Sequence, residues 1–228
     1  MKRLAILAIG LFMPVPLFGQ LMIDIDDRGA ADAANTAAGF QQFLLDGNEN
    51  DDNTAPVTRS FGGVDVTISH SNGGGFGDRR RSEPTDGGAF SDQELLRDFT
   101  FARGTTTDDG LNILIESLSP NTDHTVKIWS FDDGSNSLRT SDWTANGVLV
   151  VDDYSFDGTI LPADNAANSF EFMTTSDANG DILIEGRYAA GDCCSVFLNA
   201  FSVQAVPEPT SGLLAAFGFI GLLGLRRR

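Results

Sequence analysis

Histidine and basic residues are scarce in this 228-residue chain: 2 His, and 15 Lys and Arg against 32 Asp and Glu, for a formal net charge of −17. With only His70 and His124, few side chains can act as neutral-pH general bases. No Gly-x-Ser-x-Gly elbow, no His-Glu-x-x-His pair and no phosphate-cradling glycine loop ending in Lys and Ser or Thr occurs. Those absences remove elbow-type serine hydrolases, zincin-type proteases and P-loop enzymes. The acid excess argues against nucleic acid as a partner, because that affinity comes mainly from cations on phosphates. The two cysteines, Cys193 and Cys194, are adjacent, so they cannot staple a small disulfide framework, and no further ligands stand nearby for zinc. No internal repeat is visible, which argues against a solenoid or propeller.

What the chain does have begins with its two ends. Met1-Lys2-Arg3 is a positive n-region, Leu4 to Phe18 is apolar, and Gly19 is a small residue at the cleavage position. This is a signal peptide over residues 1–19, cut before Gln20, and no Cys follows it to carry a lipoprotein anchor. At the other end, Val206-Pro207-Glu208-Pro209-Thr210 precedes an apolar run from Gly212 to Leu225, and Arg226, Arg227 and Arg228 follow. Physically this is a stop-transfer segment with a basic tail kept in the cytoplasm. At about 1.5 Å per residue, a helix from Ser211 to Leu225 reaches only ~22 Å, less than the ~30 Å hydrocarbon core. So short a transmembrane helix suits a transient anchor. The Pro207, Glu208, Pro209 motif, the apolar run and the arginines, in that order over residues 206–228, resemble the PEP-CTERM sorting signal. That resemblance implies export, transient anchoring in the inner membrane, an exosortase that cuts near the motif, and delivery to the cell surface or extracellular matrix of an exopolysaccharide producer.

Between these labels lies one domain, residues 20–205, long enough to bury a core. It holds 31 acidic and 10 basic side chains, a net of −21. Its apolar runs are short and rich in β-branched residues: 64–69, 112–116, 125–129, 147–151, 181–185 and 196–201. Gly, Asn, Asp and Pro clusters separate them. One helix is expected over Ser91–Phe99, with Ser91 and Glu94 as its capping box. The pattern predicts an all-β jelly-roll β-sandwich with one short helix. Ile23 to Asp27, the stretch from Asp92 to Phe101, the turn and strand from Leu118 to Ile128, and Val196 to Val203 resemble, in that order, a galactose-binding-like jelly roll. The resemblance implies carbohydrate binding, an inward Asn in the last strand, and a structural calcium near the first strand with Asp24 and Asp26 as ligands.

Other candidates follow from the residues themselves. Asp24, Asp26 and Asp27 supply the hard oxygens calcium prefers. Asp177-Ala178-Asn179-Gly180-Asp181 starts like a calcium loop, but Ile182 stands where the sharp turn needs Gly, so a hairpin turn on Asn179-Gly180 is expected instead. In an oxidising compartment Cys193 and Cys194 can form a vicinal disulfide, pair between chains, or stay reduced and buried; the vicinal bridge is the expectation. Among Trp129, Trp143 and Tyr154, Trp129 is assigned to the core, and Trp143, placed in a Thr140–Trp143 turn, is the candidate for stacking on a sugar. Arg79, Arg80 and Arg81 balance nearby carboxylates, ride on a solvated loop, or dock an anionic polysaccharide. The expected function is an exported, non-catalytic surface or matrix protein that binds exopolysaccharide. Two other readings stay open: an acidic structural protein assembled through cations, and a secreted hydrolase built on a carboxylate pair.

Overall fold

A strand buried on one face needs apolar side chains at every second position, and most of the runs above have them. The computed structural model describes residues 19–26, 36–46, 53–81, 86–104, 106–189 and 195–207. The expected signal peptide as far as residue 18, Asp27, Cys193, Cys194 and the tail beyond Pro207 lie outside these residues. In chain order come β1 (Leu21–Asp26), β2 (Gln41–Leu44), β3 (Val57–Phe61), β4 (Val64–His70), β5 (Phe76–Arg80), α1 (Gln93–Arg97) and β6 (Asp98–Arg103). There follow β7 (Gly110–Glu116), β8 (Asp123–Trp129), β9 (Leu138–Ala145), β10 (Val148–Asp157), β11 (Ser169–Thr175), β12 (Ile182–Tyr188), β13 (Ser195–Leu198) and β14 (Ala200–Ala205).

These strands form the expected all-β jelly-roll sandwich. One sheet has the order β11-β8-β14-β1-β2 and the facing sheet β10-β9-β12-β7-β4-β3, with a small sheet β13-β6-β5 beside them. Between the two large sheets lies a core of Ile23, Ile25, Val126, Ile128 and Phe201 against Val66, Ile68, Ile113, Ile115 and Ile184. A second core, rich in phenylalanine, joins α1 to the small sheet through Leu95, Leu96, Phe99, Phe131, Phe156 and Phe197. Phe99 meets Phe197 edge-on at 5.4 Å between ring centroids, and Phe156 meets it at 5.5 Å.

Register fixes two poles. Leu21 lies opposite Val203 in the antiparallel pair β1 and β14, so the chain enters and leaves the domain at one pole. This exit pole also carries the tight turns at Gly62-Gly63 and Asn146-Gly147 and the connections at 117–122 and 176–181. Longer connections, at 130–137 and 158–168 among others, gather at the opposite loop pole.

Three local expectations change. The helix is only Gln93–Arg97: Asp92 is its N-cap, without a side-chain cap bond, and Asp98 is already extended, at ψ 151°, because Phe99 is needed in β6. Ser91 makes no capping box; its backbone N–H and its hydroxyl both pair with the Asn165 amide. The 177–181 segment is a plain turn, in which the Asp177 carboxylate accepts from the N–H groups of Asn179 (2.7 Å) and Asp181 (2.9 Å). It joins strands of different sheets, however, so it is a crossing and not a hairpin. Thr140–Trp143 is no turn either; it lies inside β9, where Ser141, Trp143 and Ala145 alternate inward.

Gly186 sits under the Trp143 ring, and a Cβ there would lie 2.9 Å from the indole and 2.7 Å from Val196. Overpacking of this kind costs about 2 kcal/mol. Gly186→Ala is therefore expected to lower the melting temperature by roughly 4–8 °C; an unchanged melt would contradict this packing.

Candidate functional site

Asp24 and Asp26 point away from the sandwich core, on the face of β1 opposite Ile23 and Ile25, yet both are fully buried. Residues 36–42 cover them. Ala37 N–H donates to Asp24 Oδ2 (2.7 Å), while the Thr36 hydroxyl and Gln42 Nε2 both donate to Asp26 Oδ2 (2.7 Å each). Asp24 Oδ1 is buried with no hydrogen-bond partner. Burial, with Asp26 and Asp98 adding like charge, pushes the Asp24 carboxyl up to about 8. A charge with so little compensation is resolved in one of two ways, by a proton on the carboxyl or by a cation beside it. The orphaned Oδ1 and the neighbouring carboxylates suit a cation; the N–H and O–H donors already on the Oδ2 atoms leave it few oxygens.

The aromatic candidates separate clearly. Trp143 is 0% exposed, donates its indole N–H to Ser141 Oγ (3.0 Å) and packs on Phe170 at 5.3 Å, so it offers no face to a sugar. Its assignment as a stacking residue is corrected: the inward alternation of β9 commits it to the core. Tyr154 donates its hydroxyl to Ser130 O (2.7 Å) and packs on Phe170 at 4.7 Å. Trp129 is buried as expected, with the Phe40 ring edge-on at 5.6 Å and Lys127 Nζ 4.5 Å over its ring.

The arginine run divides by role. Arg81 binds Asp132 through Nε (2.7 Å) and an Nη (3.1 Å), with Asp133 at 3.7 Å, which is the charge balance expected from the sequence. Arg79 behaves differently. Its guanidinium carbon lies 5.1 Å from the Phe101 ring centroid, and that of Arg103 lies 5.2 Å from the same centroid. Arg79 is on β5 and Arg103 on β6, adjacent antiparallel strands. Among the described residues neither forms a salt bridge, whereas Arg59, Arg81 and Arg187 each do; the Asp132 charge acts on Arg79 from farther off. Sequence reasoning singled out Arg79 but missed Arg103 and Phe101, because the pairing of β5 with β6 is what brings them together.

Both histidines are buried. His70 Nδ1 accepts from the N–H groups of Asn72 (3.1 Å) and Gly74 (3.2 Å), and its Nε2 faces Arg103 O at 3.2 Å. It pins the glycine-rich turn. His124 is 3% exposed, with neither ring nitrogen hydrogen-bonded, and burial pushes its pKa down, keeping it neutral. Among the described residues one trio, Asp142, Asp152 and Asp153, brings carboxylate oxygens within 4.8 Å of one another, on the outer face of the β9–β10 ladder. Sequence reading did not single out this trio, which depends on the bulges in that ladder.

The raised Asp24 pKa has a definite consequence for stability. The folded state holds a proton between the ordinary carboxyl value of 3.8 and about 8 that the unfolded chain has lost, so this group's contribution is complete at low pH and disappears as pH rises through that window. In the presence of chelator, Asp24→Asn should remove about 3 kcal/mol of the pH dependence between pH 5 and 8. Denaturant titrations at the two pH values check this, and parallel losses in variant and parent would contradict it.

Comparisons place the chain as follows. No curated protein matches it in sequence. In structure it is similar to a family 35 carbohydrate binding module from Clostridium thermocellum, at 12% identity and a TM-score of 0.32, over 65% of this chain and 97% of that one. It is similar also to the CBM22-1 xylan-binding domain of Paenibacillus barcinonensis Xyn10C, at 11% identity and a TM-score of 0.38, over 68% and 87%. A Bacteroides uniformis beta-glucuronidase matches at 13% identity and a TM-score of 0.38; 59% of this chain is covered, but the chain spans only 15% of that enzyme. Residues 205–228 match the PEP-CTERM protein-sorting motif. The protein therefore carries the PEP-CTERM signal of exported chains that are anchored transiently in the membrane before an exosortase cuts them for the cell surface.

Proposed function

We propose that the exported domain is a non-catalytic surface module that binds an acidic polysaccharide at the β5–β6 face, through Arg79 and Arg103. The observation that carries this reading is the pair of guanidiniums about one aromatic ring, neither in a salt bridge, in a domain of net charge −21. Arginine grips a carboxylate or sulfate with paired N–H donors, and the buried Phe101 ring holds both guanidiniums in place by cation–π contact. Elsewhere the surface acids repel a polyanion, so contact concentrates where cations stand unpaired. An exopolysaccharide bearing uronate or sulfate groups has that chemistry. Catalysis has less support, since His70 is held by the backbone and His124 is enclosed and neutral.

Calcium enters this proposal as a structural ion held by Asp24 and Asp26, exchanging with the proton on Asp24. Calcium should then raise the melting temperature more at pH 8 than at pH 6, and Asp24→Asn should abolish the effect; no calcium response at either pH would exclude the ion. The second reading, an acidic matrix protein assembled through cations, is favoured by the surface trio Asp142, Asp152 and Asp153. Calcium-dependent self-association without glycan binding is its signature.

Titration with polygalacturonate tests the main reading. The parent domain should bind saturably and more weakly in added salt, Arg79→Ala with Arg103→Ala should lose tenfold or more, and neutral dextran should not compete. Unchanged binding by the double variant, or none by the parent, would overturn it.

A further inference from the structure

The short link between the fold and the membrane anchor determines which surface faces the bilayer. Val206 N–H still donates to Asp123 O (2.8 Å), so the sheet holds the chain to within one residue of the Pro207 motif. Its strand, β14, lies between β8 and β1 inside a five-stranded sheet and cannot peel away to lengthen the tether. Only residues 207–211 separate that bond from the apolar run that starts at Gly212. Fully extended, this link reaches at most roughly 20 Å. While the anchor is in place, the exit pole is the part of the domain held at the bilayer surface.

That pole has an apolar corner. Val148 is 66% exposed, Leu149 54% and Met173 61%. A line of hydrogen bonds ties the corner to the tail exit. Asn146, in the turn before Val148, donates its side-chain N–H to Thr175 O (2.9 Å); Thr175 Oγ1 donates to Asp123 Oδ1 (2.6 Å); and Asp123 O accepts from Val206. The strands concerned, β11, β8 and β14, are consecutive in the sheet, so at about 4.8 Å per strand the corner lies roughly 10–15 Å from the exit. Large apolar side chains left outward beside a membrane tether match a lipid surface. The acids of this pole, Asp65, Glu116, Asp123, Asp177 and Asp181, disfavour anionic headgroups, so the contact has to be apolar and its partner a neutral bilayer.

We propose that Val148, Leu149 and Met173 rest on the bilayer that holds the protein's own anchor, seating the exit pole on the membrane and turning the loop pole outward. The seating keeps the segment beyond Val206 at the membrane surface, where a membrane-embedded protease must reach it. Leu138, Ile160 and Leu161, the other exposed apolar residues of this size among the described residues, stand at the loop pole and serve as the internal reference.

The test uses the full-length chain reconstituted in phosphatidylcholine bilayers with and without brominated acyl chains. Leu149→Trp, Met173→Trp and Leu161→Trp each add a reporter to the buried Trp129 and Trp143, whose signal is subtracted. Bromolipid should remove about half or more of the added emission at 149 and 173 and little at 161, on the order expected for side chains at the acyl boundary. Equal quenching at all three positions, or none at 149 and 173, overturns the proposal. Quenching at 149 and 173 that arises only once the sorting protease is co-reconstituted also overturns it, by assigning the face to that enzyme.

Discussion

The whole sandwich depends on Asn199. This fully buried residue stands between β13 and β14, and every polar group it owns is used. Its backbone N–H donates to Trp129 O (3.0 Å) and its carbonyl accepts from Ile25 N–H (2.8 Å). Its side-chain N–H groups donate to Leu96 O (3.1 Å) and Asp98 O (2.9 Å), and its side-chain oxygen accepts from Phe131 N–H (2.7 Å). Five bonds of about 1 kcal/mol each matter less than the alternative, which leaves several buried backbone groups unpaired at 1–3 kcal/mol apiece. Through these bonds one residue joins the first strand, the end of α1, the start of β6 and the loop after β8. It also divides what would be one long last strand, handing Val196–Leu198 to the small sheet and Ala200–Ala205 to the large one.

Two functional consequences descend from that junction. The small sheet exists because β13 is turned aside to pair with β6, and β6 paired with β5 is what sets Arg79 and Arg103 about Phe101. The large sheet gains β14 as an interior strand, so the chain is hydrogen-bonded to the middle of that sheet as far as Val206, one residue before the sorting motif. The cations therefore belong to an element formed beside the sandwich, and the tether to its exit pole. Asp24 is drawn into the same arrangement: it pairs with Ala200, next to Asn199, and its burial follows from the closing of residues 36–42 over β1.

Much of this was legible in the sequence because it is local. Period-two runs such as Val64 to Ser69 and Ile182 to Glu185 became strands, since alternating apolar side chains have one way to be buried. The inward Asn of the last strand came from the galactose-binding-like resemblance. What stayed hidden is what register decides. Whether Trp143 faces the core or the solvent turns on a single residue of phase in β9, and Asp142 on one side of it is only half-buried while Trp143 is enclosed. The partnership of Arg79 with Arg103, 24 positions apart, requires the pairing of two strands that the sequence pattern did not announce. The helix was overread because Phe99 fits an apolar helix face as well as it fits β6.

The most direct measurement of the account is amide hydrogen exchange on the folded domain with and without an acidic oligosaccharide. The account places new protection on β5 and β6, around residues 76–81 and 98–103, with the exit-pole turns unaffected. Protection confined to the exit pole, or to the outer face of β9 and β10, would contradict it.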